Sequence, residues 1–437
     1  TRVGIYKNTS LTAGSLSFVL VNTITAPLGV NTRGLALADF DGDGKLDLVV
    51  ADYTNNLLRL YQNSTSGLSA ITFTTGITLP TDSGPHEVKV ADFDGDGRPD
   101  VVVGNVSSAP YTVSIFQNLL LFGSLSFSAR QSILGFSLPH NLAVGDLDND
   151  GRPDIVVANT GANNIRLLQN VSTLGTITFT SALTLTSAAL ASPRGVALGD
   201  FDQDGNFDIV VNNQSNSQAI FFLNKNNTIG SISFTTAAFT ITTNGQAYDG
   251  ISIADFDGDG KVDVAISTLS NSLSVLKNRS TQGALSFTNR VVYSLSAPYS
   301  LNIPYHLVAG DMNADGKADI AVANNAGNSI SLFRNLANIS PPIITQVNPL
   351  SATIGSTVTI VGQNFNITPS NNIVFFGATS ATVTGGTSTT LNVTVPYGAS
   401  YQYISVTDAV TKFTGYSPLP FVVTYPTAAN AINDFAP

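Results

Sequence analysis

One nonapeptide, D-x-D-x-D-G-x-x-D, constrains the fold of this chain more than any other feature, because it recurs six times. The copies are DFDGDGKLD (Asp39 to Asp47), DFDGDGRPD (Asp92 to Asp100), DLDNDGRPD (Asp146 to Asp154), DFDQDGNFD (Asp200 to Asp208), DFDGDGKVD (Asp255 to Asp263) and DMNADGKAD (Asp311 to Asp319). They start 53, 54, 54, 55 and 56 residues apart. A fixed period of about 40 to 55 residues marks propellers and related arrays, in which each repeat buries its apolar face only against its neighbours.

The flanks of each loop say what kind of repeat this is. Alternating segments such as GLALA (Gly34 to Ala38) precede the loops, and β-branched runs such as LVVA (Leu48 to Ala51) and IVVA (Ile155 to Ala158) follow them. Each loop therefore joins two buried strands. A third strand ends on Asn, as in LLRLYQN (Leu57 to Asn63), TVSIFQN (Thr112 to Asn118) and SLSVLKN (Ser272 to Asn278). A fourth is expected after a Gly or Ser turn, as in GSLSF (Gly123 to Phe127) and GSISF (Gly230 to Phe234). Four short antiparallel strands make one propeller blade. The third-strand pattern also occurs before the first Asp loop, at VGIYKN (Val3 to Asn8), and after the last, at SISLFRN (Ser329 to Asn335). Seven third strands with six Asp loops predict seven blades with the first incomplete in this chain, six blades with a spare strand being the competing count.

The chemistry of the nonapeptide points to a hard cation. Side chains at positions 1, 3, 5 and 9 and the carbonyl at position 7 can converge on Ca²⁺, and Gly at position 6 permits the sharp turn. The candidate ligands of the first three loops are Asp39, Asp41, Asp43 and Asp47 with the carbonyl of Lys45; Asp92, Asp94, Asp96 and Asp100 with Arg98; and Asp146, Asp148, Asp150 and Asp154 with Arg152. Those of the last three are Asp200, Asp202, Asp204 and Asp208 with Asn206; Asp255, Asp257, Asp259 and Asp263 with Lys261; and Asp311, Asn313, Asp315 and Asp319 with Lys317. The position-12 Glu and the flanking helices of an EF-hand are absent, so these are strand-to-strand loops. The loops hold 23 of the 28 aspartates, so acidity here is nearly all loop chemistry. About six calcium ions, mainly structural, are expected.

Composition narrows the function. The formal charge of −10, with no basic stripe, argues against nucleic acid, which needs clustered Lys and Arg. No apolar run reaches the roughly 18 residues of a membrane span. Cysteine is absent, which removes disulfides and thiolate metal sites. Neither a G-x-S-x-G elbow nor a spare carboxylate pair is present, and Glu87 is the one glutamate, so no enzyme is expected. Thr1 does not open a signal peptide, and the chain is expected to be a mature protein or a fragment of a longer one.

After Asn335 the period stops. Pro341 and Pro342 mark a boundary, and the segments PPIITQV, TVTIVG, IVFFG, LNVTVP and FVVTY predict a small immunoglobulin-like β-sandwich. The expected organisation of this all-β chain is a propeller over 1–338, a sandwich over 339–425, and a linker or the start of a following module over 426–437.

The repeat resembles the FG-GAP and VCBS family of propeller repeats, also found in integrin α-subunits, over about residues 1 to 336. Residues 341 to 424 resemble IPT/TIG immunoglobulin-like domains through PPIITQVNPLSATIGSTVTIVGQNF. The resemblance implies calcium loops joining the first two strands of each blade, and an extracellular adhesion or ligand-binding module, secreted or on a bacterial cell surface. Its implied partners are a polysaccharide, a surface protein or neighbouring modules of one large adhesin; some relatives are lectins, and a non-catalytic part of a secreted enzyme is a further alternative.

One more set of positions repeats. Six residues before each loop stand Arg33, His86, His140, Arg194, Asp249 and Tyr305, where an innermost strand starts and faces the channel mouth. Such a ring is either solvated channel lining or a binding site for a sugar or an anion. His306 lies one position out of register, so three histidines meeting on zinc is not expected.

Overall fold

The structure, a computed structural model, describes residues 2–10, 15–25, 31–66, 71–120, 125–235, 239–288, 290–294, 304–336, 341–377, 379–399, 403–409 and 413–424. The expected linker over 426–437 lies outside them.

The chain is all-β. It opens with a two-stranded antiparallel sheet, β1 (Val3–Asn8) and β2 (Phe18–Ile24). The first Asp-loop blade follows, with β3 (Thr32–Ala38), β4 (Asp47–Asp52), β5 (Leu57–Asn63) and β6 (Phe73–Pro80) in spatial order 3-4-5-6. The blades of Asp92, Asp146, Asp200 and Asp255 repeat this up-and-down order, and the blade of Asp311 contributes three strands among the described residues. The propeller-like arrangement thus has six sheets built around an Asp loop, with β1–β2 beside them.

Sequence pattern explains the layering. The second strand of each blade lies between two others and between two blades, so a continuous run is required there; DLVVAD, DVVVGN, DIVVAN and DIVVNN are buried at every position. The cores lie between blades. One joins Phe40, Val49 and Leu60 to Val101 and Phe116 of the next blade, and the same packing recurs from blade to blade up to Phe256, Leu307 and Val322. The second residue of each of the first five loops plugs these interfaces: Phe40, Phe93, Leu147 and Phe201 are fully buried and Phe256 nearly so, while Met312 of the sixth is half-buried.

The expected position of the fourth strand is corrected. In the Asp92 blade it is Gln131–Phe136, not the Gly123–Phe127 segment, and in the Asp200 blade it is Phe239–Thr242, not Gly230–Phe234. Phe127 and Phe234 instead form isolated bridges to Asn118 and Asn224. The physical reason is packing: these phenylalanines turn into the inter-blade cores, where Phe127 meets Phe40 edge-on at 5.8 Å, and the chain pairs as a strand only after that anchor.

Residues 343–424 form a second all-β unit. A seven-stranded sheet, in which Thr357–Gln363 pairs with both Ile343–Asn348 and Thr390–Thr394, folds around one core of Val358, Ile360, Phe376, Leu391, Ile404 and Phe421. A parallel pair, Ser351–Thr353 with Val422–Thr424, closes it. No helix among the described residues is long and apolar enough to cross a membrane.

Candidate metal loops and a polar cluster at the innermost strands

Each Asp loop wraps its backbone around its first aspartate. In the first loop Asp39 accepts from Gly42, Asp43 and Gly44 N–H at 2.8, 3.1 and 2.8 Å. Asp92 does the same with Gly95, Asp96 and Gly97, and Asp255 with Gly258, Asp259 and Gly260. Two residues per loop take left-handed backbone. Position 6 is glycine throughout, with φ from 79° at Gly316 to 91° at Gly205, and position 4 is Gly42, Gly95, Asn149, Gln203, Gly258 or Ala314. The requirement at position 6 was legible in the sequence; that at position 4 was hidden because non-glycine residues fill it three times.

The ninth aspartate ties loop to blade. Asp154 accepts from Leu147 N–H at 2.9 Å and from Asn170 N–H at 2.8 Å, and Asp47, Asp100, Asp208, Asp263 and Asp319 repeat this pair of bonds. Burial pushes the carboxyls of Asp100, Asp154, Asp208 and Asp263 up to about 7, although each accepts two backbone N–H groups.

The loop carboxylates converge. Ligand atoms of Asp39, Asp41 and Asp43 lie within 4.8 Å of one another, as do those of Asp92, Asp94 and Asp96; of Asp146, Asp148 and Asp154; of Asp200, Asp202 and Asp208; and of Asp255, Asp257 and Asp259. Among the described residues the sixth loop forms no such group; Asn313 stands at its third position and holds the same turn by accepting from Asp315 N–H at 3.0 Å. Buried Asp202 Oδ1 and Asp257 Oδ1 have no hydrogen-bond partner, as an oxygen aimed at a cation would. The donor set is all oxygen, which fits Ca²⁺ and not a soft metal.

The seventh residue of each loop donates its backbone N–H to the fifth-position carboxylate: Lys45, Arg98, Arg152 and Asn206 at 2.9 Å, Lys261 at 3.1 Å and Lys317 at 3.0 Å. The side chains of Lys45, Arg98 and Arg152 also fold onto that carboxylate as ion pairs.

The six residues that precede the loops meet one another. Arg33 reaches Tyr305 Oη at 3.3 Å and lies over the rings of Tyr53 and Tyr305. His86 Nδ1 contacts the His140 carbonyl at 3.0 Å, and the two imidazoles pack edge to face at 5.2 Å. Burial drives both imidazoles down to about 3, so both are neutral at physiological pH. Asp249 is fully buried, 3.9 Å from Arg194 and 4.0 Å from His86, and neither of its oxygens has a hydrogen-bond partner. Burial raises its pKa, against the pull of His306 and Arg194.

Tyr248, stacked on Tyr305 at 5.0 Å, and Glu87, paired with Lys89 at 2.5 Å and His306 at 3.4 Å, belong to the same cluster and were not picked out from the sequence. Glu87 and His306 each neighbour a residue of the six, which was the available signal.

The FG-GAP-like repeat family matches residues 39–103, 146–211, 200–266 and 255–322, together more than half of the chain, and the IPT/TIG domain matches residues 342–423. Curated relatives include cartilage acidic protein 1 of Xenopus tropicalis, 23% identical over 351 residues, and of Mus musculus, 24% identical over 357 residues. Each match covers 72% of this chain and 52% of the relative, so the chain spans about half the length of these proteins. Among solved structures it is similar to BBS1N in complex with ARL6DN, at TM-score 0.45 and 13% identity over 85% of this chain and 94% of that one. A putative 6-phosphogluconolactonase from Bacteroides fragilis aligns at TM-score 0.46 and 14% identity, over 76% and 94%.

Proposed function

Since the chain belongs to the family of FG-GAP-like repeats, with an IPT/TIG domain behind them, we propose that it is a non-catalytic binding module, secreted or on the cell surface, whose disc is held together by calcium. The convergence of three carboxylates within 4.8 Å in five successive loops carries this reading. Without a cation these charges repel in a partly buried setting, and a bound Ca²⁺ turns that cost into a clamp on the hairpin that joins the first two strands of a blade. The ion's role is structural: it pins loops, while the ligand is met elsewhere on the disc.

Titration calorimetry on metal-stripped protein, paired with melting in excess EGTA, tests the calcium. The expected results are about six ions per chain and a melting temperature that falls markedly on chelation. An unchanged melt would sink the proposal.

Adhesion is the use that a rigid disc carried on an immunoglobulin-like spacer favours, as one segment of a larger, bacterial surface protein binding a polysaccharide or another surface protein. Deleting this segment from the intact protein should abolish attachment of the cells that bear it, and normal attachment would count against the reading.

A calcium-dependent lectin is favoured by a different observation. The polar groups of this cluster are not all satisfied within it: Asp249 lies 3.9 Å from Arg194 and 4.0 Å from His86, too far for direct hydrogen bonds, and both of its oxygens are without a hydrogen-bond partner. With the stacked Tyr248 and Tyr305 alongside, this is the mixture of directed polar groups and aromatic surface that holds a sugar. Binding on a glycan array that disappears in EGTA and in Asp249→Asn supports the lectin; a silent array leaves adhesion through the disc surface.

A further inference from the structure

We infer that the loops beginning at Asp146, Asp200 and Asp255 fill as one linked set, because Asn149 and Gln203 bond each loop to the next; this linkage rests on the reading of the loops as calcium sites.

The fourth position of a loop takes left-handed backbone, which glycine adopts freely and other residues rarely. Gly42, Gly95 and Gly258 fill it in three loops, yet Asn149 and Gln203 hold φ of 58° and 59°. Both side chains leave their own loop. Asn149 Nδ2 donates to Asn206 Oδ1 at 2.7 Å, and Asn206 Nδ2 donates onward to Asp204 Oδ1 at 3.0 Å. Gln203 Nε2 donates to Gly260 O at 3.1 Å, and Gly260 N–H donates to Asp255 Oδ2 at 2.8 Å. Each bridge therefore ends one residue from a candidate ligand of the following loop, Asp204 at its fifth position and Asp255 at its first.

A second connection runs through the turn that follows a third strand. Gly230, in the Asp200 blade, donates its N–H to Asp148 O of the preceding loop at 3.0 Å. Gly230 O accepts from Gln169 Nε2 at 2.9 Å, the same group that donates to Asp148 Oδ2 at 2.6 Å. In the Asp255 blade, Gly283 N–H donates directly to Asp202 Oδ2 at 2.8 Å. Asp148 and Asp202 are both fully buried, and Asp202 Oδ1 is left without a partner. The third-position carboxylates of these two loops are thus held in part by the blade that follows.

Glycine at the fourth position can make no such bridge. Between the Asp39 and Asp92 loops the equivalent place is a cavity of about 350 Å³ lined by Phe40, Gly42, Gly97 and Leu120. Gly42 and Gly97 stand there at the positions that Gln203 and Gly260 hold in the bridged pair. Where the bridge exists, a loop held in its closed form fixes its fourth residue, which in turn holds Asn206 or Gly260 of the neighbour. The neighbour then has less freedom left to lose when it closes around its own ion, which is positive coupling between the two sites.

The test follows calcium titrations of metal-stripped protein by hydrogen exchange, read separately for peptides of each loop. Asp257→Asn with Asp259→Asn disables the Asp255 loop. The calcium midpoint of the Asp200 loop should then rise about fivefold or more, while that of the Asp39 loop keeps the parent's value. Gln203→Gly, which installs the residue that other loops carry at this place, should abolish the rise while the Asp200 loop still binds. A second measurement needs no disabled loop: in the parent the Asp146, Asp200 and Asp255 loops should titrate together with a Hill slope above that of the Asp39 loop, and Asn149→Gly with Gln203→Gly should remove the difference. An Asp200 loop indifferent to its disabled neighbour, a rise that survives Gln203→Gly, an equal rise at the Asp39 loop, or a Hill slope that the two glycines leave unchanged overturns the linkage and leaves the calcium reading standing. Parent loops whose exchange does not respond to calcium overturn both.

Discussion

Replacing Asn170 by alanine should cost the propeller far more than the same change at Asn63, although both end a third strand. Asn170 is fully buried; its Nδ2 donates to Phe93 O in the preceding blade at 2.8 Å and to Pro153 O at 3.0 Å, and its Oδ1 accepts from Ser172 N–H at 2.9 Å. Truncation removes three hydrogen bonds and strands two carbonyls and one N–H inside the protein. At about 1 to 3 kcal/mol for each abandoned group, partly relieved by relaxation, the loss is about 3–5 kcal/mol. Asn63 is partly exposed and keeps only the local bonds to Leu46 O and from Thr65 N–H, for which about 1–2 kcal/mol is expected. A propeller of this size shifts about 1.4 °C per kcal/mol, so the variants should melt about 6 °C and about 2 °C below the parent. Differential scanning calorimetry in saturating calcium reads both. Equal losses would refute the view that the bond from Asn170 to Phe93 O couples one blade to the next.

Three further outcomes follow from the same geometry. In EGTA the protein should be more stable at pH 5 than at pH 8: carboxyls raised from an unfolded value near 3.8 to about 7 by burial contribute stability that is full below 3.8 and lost as pH rises through 7, and an inverse trend in the metal-free melt would contradict it. Phe201→Ala should destabilise by about 3–5 kcal/mol by chemical denaturation, because the ring is fully buried against Phe221 and Phe287 at 5.3 and 6.2 Å; a loss under about 1 kcal/mol would show that the interface collapses around the void. Gly195→Ala should lower the melting temperature without touching a loop, because an added Cβ would stand 2.7 Å from the Asp249 carbonyl of the neighbouring innermost strand, and an unchanged melt would mean that this contact opens freely.

The nonapeptide and its spacing determined the class of fold, the loop positions and the candidate ligands, because carboxylates converge within one short loop only when they stand at such offsets around a sharp turn. The continuous apolar runs after each loop likewise identified the doubly buried second strand. The fourth strands were misplaced by local pattern: G-S-L-S-F alternates like a strand, but whether its Phe pairs along a sheet edge or turns between blades depends on a neighbour 53 or more residues away. The asparagine at the end of each third strand was visible as a pattern, while its bond to the preceding blade was not, since that partner lies 77 to 79 residues distant. The polar cluster was half legible: its six repeat positions were found, but Glu87, Tyr248 and His306 join it only because innermost strands from separate blades converge at short range. Only the tertiary structure decided which apolar residues are covered: Leu35 and Val88 occupy the same place in the repeat, yet Val88 is buried in the core it shares with Phe40 and Val49 of the neighbouring blade while Leu35 is exposed.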